Sequence, residues 1–226
     1  MELEVKRSKL IAFDVDKTLI HLNGYDNVWQ ILNSFFKVDN KTVANMYNRF
    51  KRGEISYKDW AREAFEQYLK KNPTKDDFYK ILKLTKLMPG SLQTIKYLKE
   101  KGKKLAIISG SLDILIKKFQ YYNMFDYYLI NKVIFDKRGY VSKFIPTPYG
   151  SGKYKAMGLI TIAEHEGISL NECVFVGDGE NDLHVMKISG SCIVFNPSSN
   201  FYEKIKKRNL KVVYSQNLFQ IIPYIN

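Results

Sequence analysis

Four short stretches of this 226-residue chain carry side chains whose types and spacing suit chemistry. LIAFDVDKTLI, residues 10–20, is an apolar run that ends by delivering Asp14 and Asp16. Side chains two apart on a strand share a face, so both carboxylates can enter one site. Paired acids attract a cation, or they divide labour: one stays ionised as nucleophile or metal ligand while the other passes protons. As turn residues after an edge strand they would do neither, so the pair takes its meaning from its company. KLAIIS (104–109) runs into Ser109-Gly110-Ser111, whose hydroxyl and flexible backbone N–H groups either hold phosphate oxygens or simply cap a helix. ECVFVGD (172–178) leads into Gly177-Asp178-Gly179-Glu180-Asn181-Asp182, which sets Asp178 and Asp182 four apart around a strand-to-helix turn, near one mouth. Lys155 falls in the first turn of a helix predicted over 153–166, with Lys153 two residues earlier. The helix dipole opposes a cation there, so either Lys155 is an ordinary surface lysine or an anion faces it across a cleft.

The elements that must position these groups alternate. From Pro89 onward, helices are predicted over 91–101, 112–122, 153–166 and 180–189, with apolar strands at 104–109, 127–131, 172–178, 191–195 and 211–215. Lys137-Arg138-Gly139 between KVIF and YVSKFI reads as a hairpin within 132–146, and a last helix and a terminal helix flank the 211–215 strand. The pattern implies an α/β fold: a Rossmann-like, mostly parallel sheet with helices on both faces and the site at the carboxyl ends of its strands. Residues 23–88 break the alternation. Apolar faces recur there at helical spacing (Val28, Ile31, Leu32, Phe35, Phe36; Val43, Met46, Tyr47, Phe50; Trp60, Ala64, Phe65, Tyr68, Leu69; Phe78, Ile81, Leu82), with Asp26, Asp39, Ser56 and Thr74 as N-cap candidates. Residues 1–22 and 89–226 are therefore expected to form a catalytic core, and 23–88 a helical cap inserted after the first strand.

Composition narrows the class. The 45% of hydrophobic residues is ample for a core, no apolar run reaches the length of a membrane span, and MELEVKRSK lacks the apolar stretch of a signal peptide, so a cytoplasmic protein with no membrane partner is expected. The formal charge of +13 suits nucleic acid, an anionic surface or anionic small substrates, but the basic residues are scattered over helical segments, which argues against nucleic acid. Cys173 and Cys192 sit in apolar runs and read as buried small hydrophobes.

In this order, DVDKT, IISGS, the Lys155 region and GDGENDLHVM together resemble the four motifs of the haloacid dehalogenase superfamily of phosphohydrolases. SGS, KAMGL, GDGEND and the position of the helical insertion are most similar to its phosphoserine phosphatase group. The resemblance implies that Asp14 attacks phosphorus to form an aspartyl-phosphate and that Asp16 protonates the leaving group and then activates water. It implies Mg²⁺ held by Asp14, Asp178 and the Asp16 carbonyl, with Asp182 as ligand or close neighbour. Ser109, the Gly110 N–H and Lys155 would hold the transferring oxygens, Lys155 being preferred to Lys153 because Ala156 and Leu159 complete the family's Lys-Ala-x-x-Leu pattern. Thr18 and Asn181 are supporting candidates for loop or phosphate contacts, and Arg62, with Arg49 and Arg52, for contact with an anionic substrate. His21, His165 and His184 match no catalytic position. Two departures from the phosphoserine-specific pattern stand out: Asn23 occupies the place, nine residues after the nucleophile, of a glutamate that receives the substrate's amino group, and Ala64 that of an arginine. Lys17 also replaces the usual Ser or Gly. The expected activity is therefore hydrolysis of a small phosphorylated substrate that need not be phosphoserine. The alternatives are phosphotransfer to an alcohol and a basic, non-catalytic nucleic-acid-binding protein.

Overall fold

The computed structural model describes residues 8–119 and 122–225. Residues 1–7, residues 120–121 of the helix predicted over 112–122, and Asn226 lie outside the described residues.

The first strand, β1 (Leu10–Phe13), is buried on both faces, as its four apolar residues require. Past Asp14 the chain coils tightly, with the Thr18, Leu19 and Ile20 N–H groups all donating to the Val15 carbonyl. A two-residue strand, β2 (Ile20–His21), leads into four helices: α1 (Val28–Phe35), α2 (Asn40–Lys51), α3 (Tyr57–Leu69) and α4 (Lys75–Leu82). The chain returns through β3 (Lys86–Leu87), which pairs antiparallel with β2 at the root of the insertion. Asp39, Ser56 and Thr74 cap their helices as read from the sequence, and Thr74 with Asp77 forms a complete capping box. Asp26 does not cap. Asn27 accepts from the Gln30 N–H instead, and α1 begins one residue later than Asp26 would place it.

Then come α5 (Ser91–Glu100), β4 (Lys104–Leu112), α6 (Asp113–Lys117), β5 (Tyr127–Phe135), β6 (Val141–Ile145), α7 (Lys153–Glu166), β7 (Cys173–Gly177), α8 (Leu183–Ile188), β8 (Ser191–Phe195), α9 (Ser199–Ile205) and β9 (Lys211–Val213). β4 runs three residues past the predicted 109, through Ser109-Gly110-Ser111 to Leu112, which pairs with Asn131, and the helix predicted over 112–122 is shorter, starting at Asp113 and ending at Lys117. β5 is one continuous strand, parallel to β4 over its first part and antiparallel to β6 over its second. The helix read over 180–189 opens as a 3₁₀ turn, and the terminal helix is a 3₁₀ segment, Leu218–Tyr224, carrying Pro223, which an α-helix interior would not accommodate.

Among the described residues the main sheet has seven strands in the order β6-β5-β4-β1-β7-β8-β9, parallel except for β6. β1 is the switch point: the chain builds outward to β4 and β5 on one side and to β7, β8 and β9 on the other. Such a point opens a crevice at the carboxyl ends of the strands. Leu10 and Ala12 pack with α7, α8 and α9 through Leu159, Ile162, Val185 and Phe201. Ile11 and Phe13 face the other way, into a core that includes Ile95, Leu98 and Leu115 and runs on into Leu32, Phe65 and Phe78 of the insertion. Both cysteines are buried, and burial pushes each thiol up to about 11. Among the described residues no helix is long and apolar enough to cross a membrane.

Candidate active site

Asp14 stands one residue beyond β1, where its N–H donates to the Val176 carbonyl and carries the ladder one step further. One carboxylate oxygen accepts from the Val15 N–H at 2.8 Å and lies 3.0 Å from the Lys155 ammonium. Lys155 is fully buried and also contacts Asp182 at 2.5 Å. The anion that a lysine in the first turn of α7 requires is thus a pair of carboxylates. Lys153 is exposed and lies over the Tyr154 ring. The other Asp182 oxygen accepts from the Gly179 N–H at 3.2 Å. This return of the Asp182 side chain needs glycine at 177, since a Cβ there would sit 2.3 Å from the carboxylate.

Asp14, Asp178 and Asp182 each present an oxygen within 4.8 Å of the others, and all three are buried. Burial, with the neighbouring Asp182 and Asp14 charges, holds the Asp178 carboxyl well above the usual range. Asp182 is raised by burial against the pull of Lys155. For Lys155, burial alone would lower the ammonium, but Asp14 and Asp182 together turn the net shift upward, so it stays charged. One buried ammonium, Lys155, and the half-exposed Lys17 at 3.5 Å from Asp178 face three buried carboxylates. The cluster is short of positive charge, and an all-oxygen donor set fits a hard divalent cation such as Mg²⁺.

Asp16 has a different environment. One oxygen accepts from the Val28 N–H at 2.8 Å, at the start of α1, and the other from the Ser111 hydroxyl at 2.6 Å. Burial, then the Asp14 charge, pushes its carboxyl up to about 6. Two acids two residues apart are therefore separated in role: Asp14 is ion-paired, while Asp16 is able to carry a proton near neutrality.

Ser109 is buried, and its hydroxyl accepts from the Ser111 N–H. The Gly110 carbonyl gathers three donors: Trp29 Nε1 at 3.0 Å, the Tyr57 hydroxyl at 2.9 Å and Asn131 Nδ2 at 2.8 Å. Trp29 and Tyr57 belong to the insertion, so these bonds fasten it to the end of β4. The fit is close, because a Cβ on Gly150 would lie 2.0 Å from the Tyr57 ring. Gly150→Ala is expected to displace Tyr57, to cost about 1–3 kcal/mol in thermal or chemical unfolding, and to reduce turnover with it.

A cleft of about 560 Å³ opens between the strand ends and the insertion. Asp14, Asp16, Ser109, Gly110, Asp178 and Asn181 line it, and Lys155 and Asp182 lie buried behind them. Four expected contacts do not line it. Thr18 is fully buried outside the cleft lining. Arg62 is exposed on α3 and pairs with Asp59, while Arg49 pairs with Glu63 and Arg52 with Glu54. Asn23 is exposed in a left-handed turn (φ 47°), and the side chain at the cleft mouth is Asp26, three residues on. Lys17 adopts φ 58°, a backbone that favours glycine, and brings its ammonium 3.5 Å from Asp178 and 3.7 Å from Asp26. His184 lines the rim, while His21 is exposed and His165 bonds Tyr127. The sequence reading missed Ser111, Trp29, Tyr57 and Asn131. Ser111 was signalled by the second hydroxyl of Ser-Gly-Ser; the other three act across chain separations that no local pattern reveals.

The model of the haloacid dehalogenase-like hydrolases matches residues 8–190. The phosphoserine phosphatase of Methanocaldococcus jannaschii is 30% identical over 212 residues, covering 92% of this chain and 97% of its own. That of Lactococcus lactis is 30% identical over 188 residues, with 82% of each chain covered. A solved phospho-aspartyl intermediate analogue of phosphoserine phosphatase superposes with a TM-score of 0.72 at 26% identity, over 98% of this chain and 100% of that one. A substrate-bound phosphoserine phosphatase complex gives 0.71 at 25% identity, with the same coverage.

Proposed function

Because this chain belongs to the haloacid dehalogenase-like hydrolase family, as a phosphatase similar to phosphoserine phosphatases, we propose that it is a Mg²⁺-dependent phosphomonoesterase working through an aspartyl-phosphate on Asp14. The observation that carries this reading is the contrast between Asp14, held 3.0 Å from a buried lysine, and Asp16, whose carboxyl is pushed up to about 6. Asp14 Oδ attacks phosphorus, the bond to the leaving oxygen breaks, and Asp16 gives that oxygen its proton. Asp16, now ionised, takes a proton from a water molecule that attacks the aspartyl-phosphate, which frees phosphate, restores Asp14 as a carboxylate and returns Asp16 to its protonated form. Ser109, the Gly110 N–H and Lys155 hold the phosphoryl oxygens where charge accumulates. Asp14, Asp178 and the Asp16 carbonyl, with Asp182, would hold Mg²⁺, which when bound offsets the repulsion between carboxylate and phosphate. Residues 23–88 act as the cap, and their contacts through Trp29 and Tyr57 keep water from the first half-reaction.

The relatives' names point to phosphoserine. The cleft supports the coarser statement, a small phosphorylated substrate, because no arginine lines it among the described residues. An acid quench during turnover with Mg²⁺, followed by peptide mass analysis, tests the mechanism. The phosphoryl group is expected on the peptide containing Asp14. Steady phosphate release with no acid-stable adduct under single-turnover conditions, or an adduct elsewhere, overturns it. Added alcohols that divert the phosphoryl group from water would mark a phosphotransferase instead.

A further inference from the structure

We propose that the leaving alcohol of the substrate carries an aromatic ring, seated on a wall of rings that the helical insertion presents to the cleft. This rests on the phosphomonoesterase reading above and names the substrate class it would serve. Trp29, Tyr47, Phe50, Tyr57 and Trp60, with Lys51, line the cleft on the insertion side, opposite Asp14. Trp60 is the centre of the group: its ring centroid lies 4.9 Å from Trp29, 5.7 Å from Phe50 and 5.6 Å from Tyr57, in tilted or edge arrangements. Trp29 and Tyr57 are locked to the Gly110 carbonyl, so the wall is fixed relative to the phosphate end of the cleft.

An amino-acid leaving group finds no free acid for its ammonium at the rim, and for its carboxylate only Lys51, of the lining cations, has no acid partner among the described residues. The acids at the rim already have lysines, Asp26 with Lys17 at 3.7 Å and Glu180 with Lys204 at 3.0 Å. The three arginines of α2, α3 and the turn between them are paired with acids of the insertion. A quaternary ammonium, which rings also bind, meets a competing cation, because Lys51 lies 5.9 Å over the Tyr47 ring. A neutral ring gains from the same faces by stacking and edge contact without that repulsion.

The test compares benzyl phosphate, cyclohexylmethyl phosphate, phosphocholine and phosphoserine with the Mg²⁺-loaded full chain. Benzyl and cyclohexylmethyl esters release primary alkoxides of similar bulk, so their ratio reads the ring and not the chemistry. Benzyl phosphate is expected to have the highest kcat/KM, about tenfold above its saturated counterpart. Both tryptophans of the chain belong to the wall, so benzyl phosphate is also expected to change their emission more than the cyclohexylmethyl ester does at equal occupancy. Tyr47→Ala, at an exposed position, and Trp60→Leu are expected to bring the benzyl-to-cyclohexylmethyl ratio toward one. Equal turnover of all four, or preference for phosphocholine or phosphoserine, overturns this inference alone. Turnover of none overturns the phosphomonoesterase reading together with it.

Discussion

Asp14→Asn is expected to lower kcat on every phosphomonoester by about 10⁴-fold or more while leaving the protein folded. The amide keeps the shape of the side chain and loses the charge that makes its oxygen a nucleophile. Folding is spared for a specific reason. Asp14 is one of three buried carboxylates that outnumber the ammonium groups beside them, and Lys155 retains Asp182 at 2.5 Å when Asp14 becomes neutral. Removing one charge also relieves Asp178, whose carboxyl is held up by burial and by its two acidic neighbours. The metal-free variant should therefore melt no lower than the wild type and should gain less from added Mg²⁺, because one oxygen donor is weakened. Phosphate release measures the first effect and thermal unfolding with and without Mg²⁺ the second. A variant that keeps more than a tenth of the wild-type kcat would place the nucleophile elsewhere; a variant that is inactive because it is unfolded would fail the melting control.

The placement of the candidate groups was legible in the sequence because each depends on its own apolar strand. β1 delivers Asp14 and Asp16, β4 delivers Ser109, and β7 delivers Asp178, each at the end of an apolar run whose length sets the position. Lys155 needed only the start of α7, and the helix predicted over 153–166 is the one observed. What could not be read is how the insertion meets the core. Tyr57 and Trp29 bond Gly110 across 53 and 81 residues, and on α1 and α3 their rings look like any other apolar stripe. The same limit explains why the strand predicted over 104–109 runs on to Leu112. Asn131 accepts from the Thr147 N–H and donates to the Gly110 and Ser111 carbonyls, holding that segment extended. Arg62 was an attractive anion contact by residue type alone, but helical spacing gives it Asp59 as a neighbour one turn away, and the pair forms. Thr18 was judged by type in the same way, and the coil around the Val15 carbonyl buries it.

Lys155→Met separates the structural role of positive charge in the cluster from its catalytic role. Methionine fills much of the space of the fully buried lysine stem but leaves Asp14 and Asp182 without their ammonium, with only Lys17 at the outer side of Asp178. Taking one partner from a buried ionic group costs about 3–5 kcal/mol, so the metal-free variant should unfold well before the wild type. A divalent cation supplies the missing charge, and Mg²⁺ should therefore raise the melting temperature of the variant more than that of the wild type. Turnover should not follow stability. With saturating Mg²⁺ the variant is expected to remain about 10²–10³-fold slow, because no donor holds the phosphoryl oxygen beside Asp14. Chelation of divalent ions should stop the wild type while leaving it folded, since Lys155 still neutralises part of the cluster. Lys153→Met, two residues earlier on the exposed face of α7, should change neither property. If Mg²⁺ restored full turnover to Lys155→Met, the lysine would serve only to balance charge in the absence of metal. If Mg²⁺ restored neither stability nor turnover, the three carboxylates would not be the metal site.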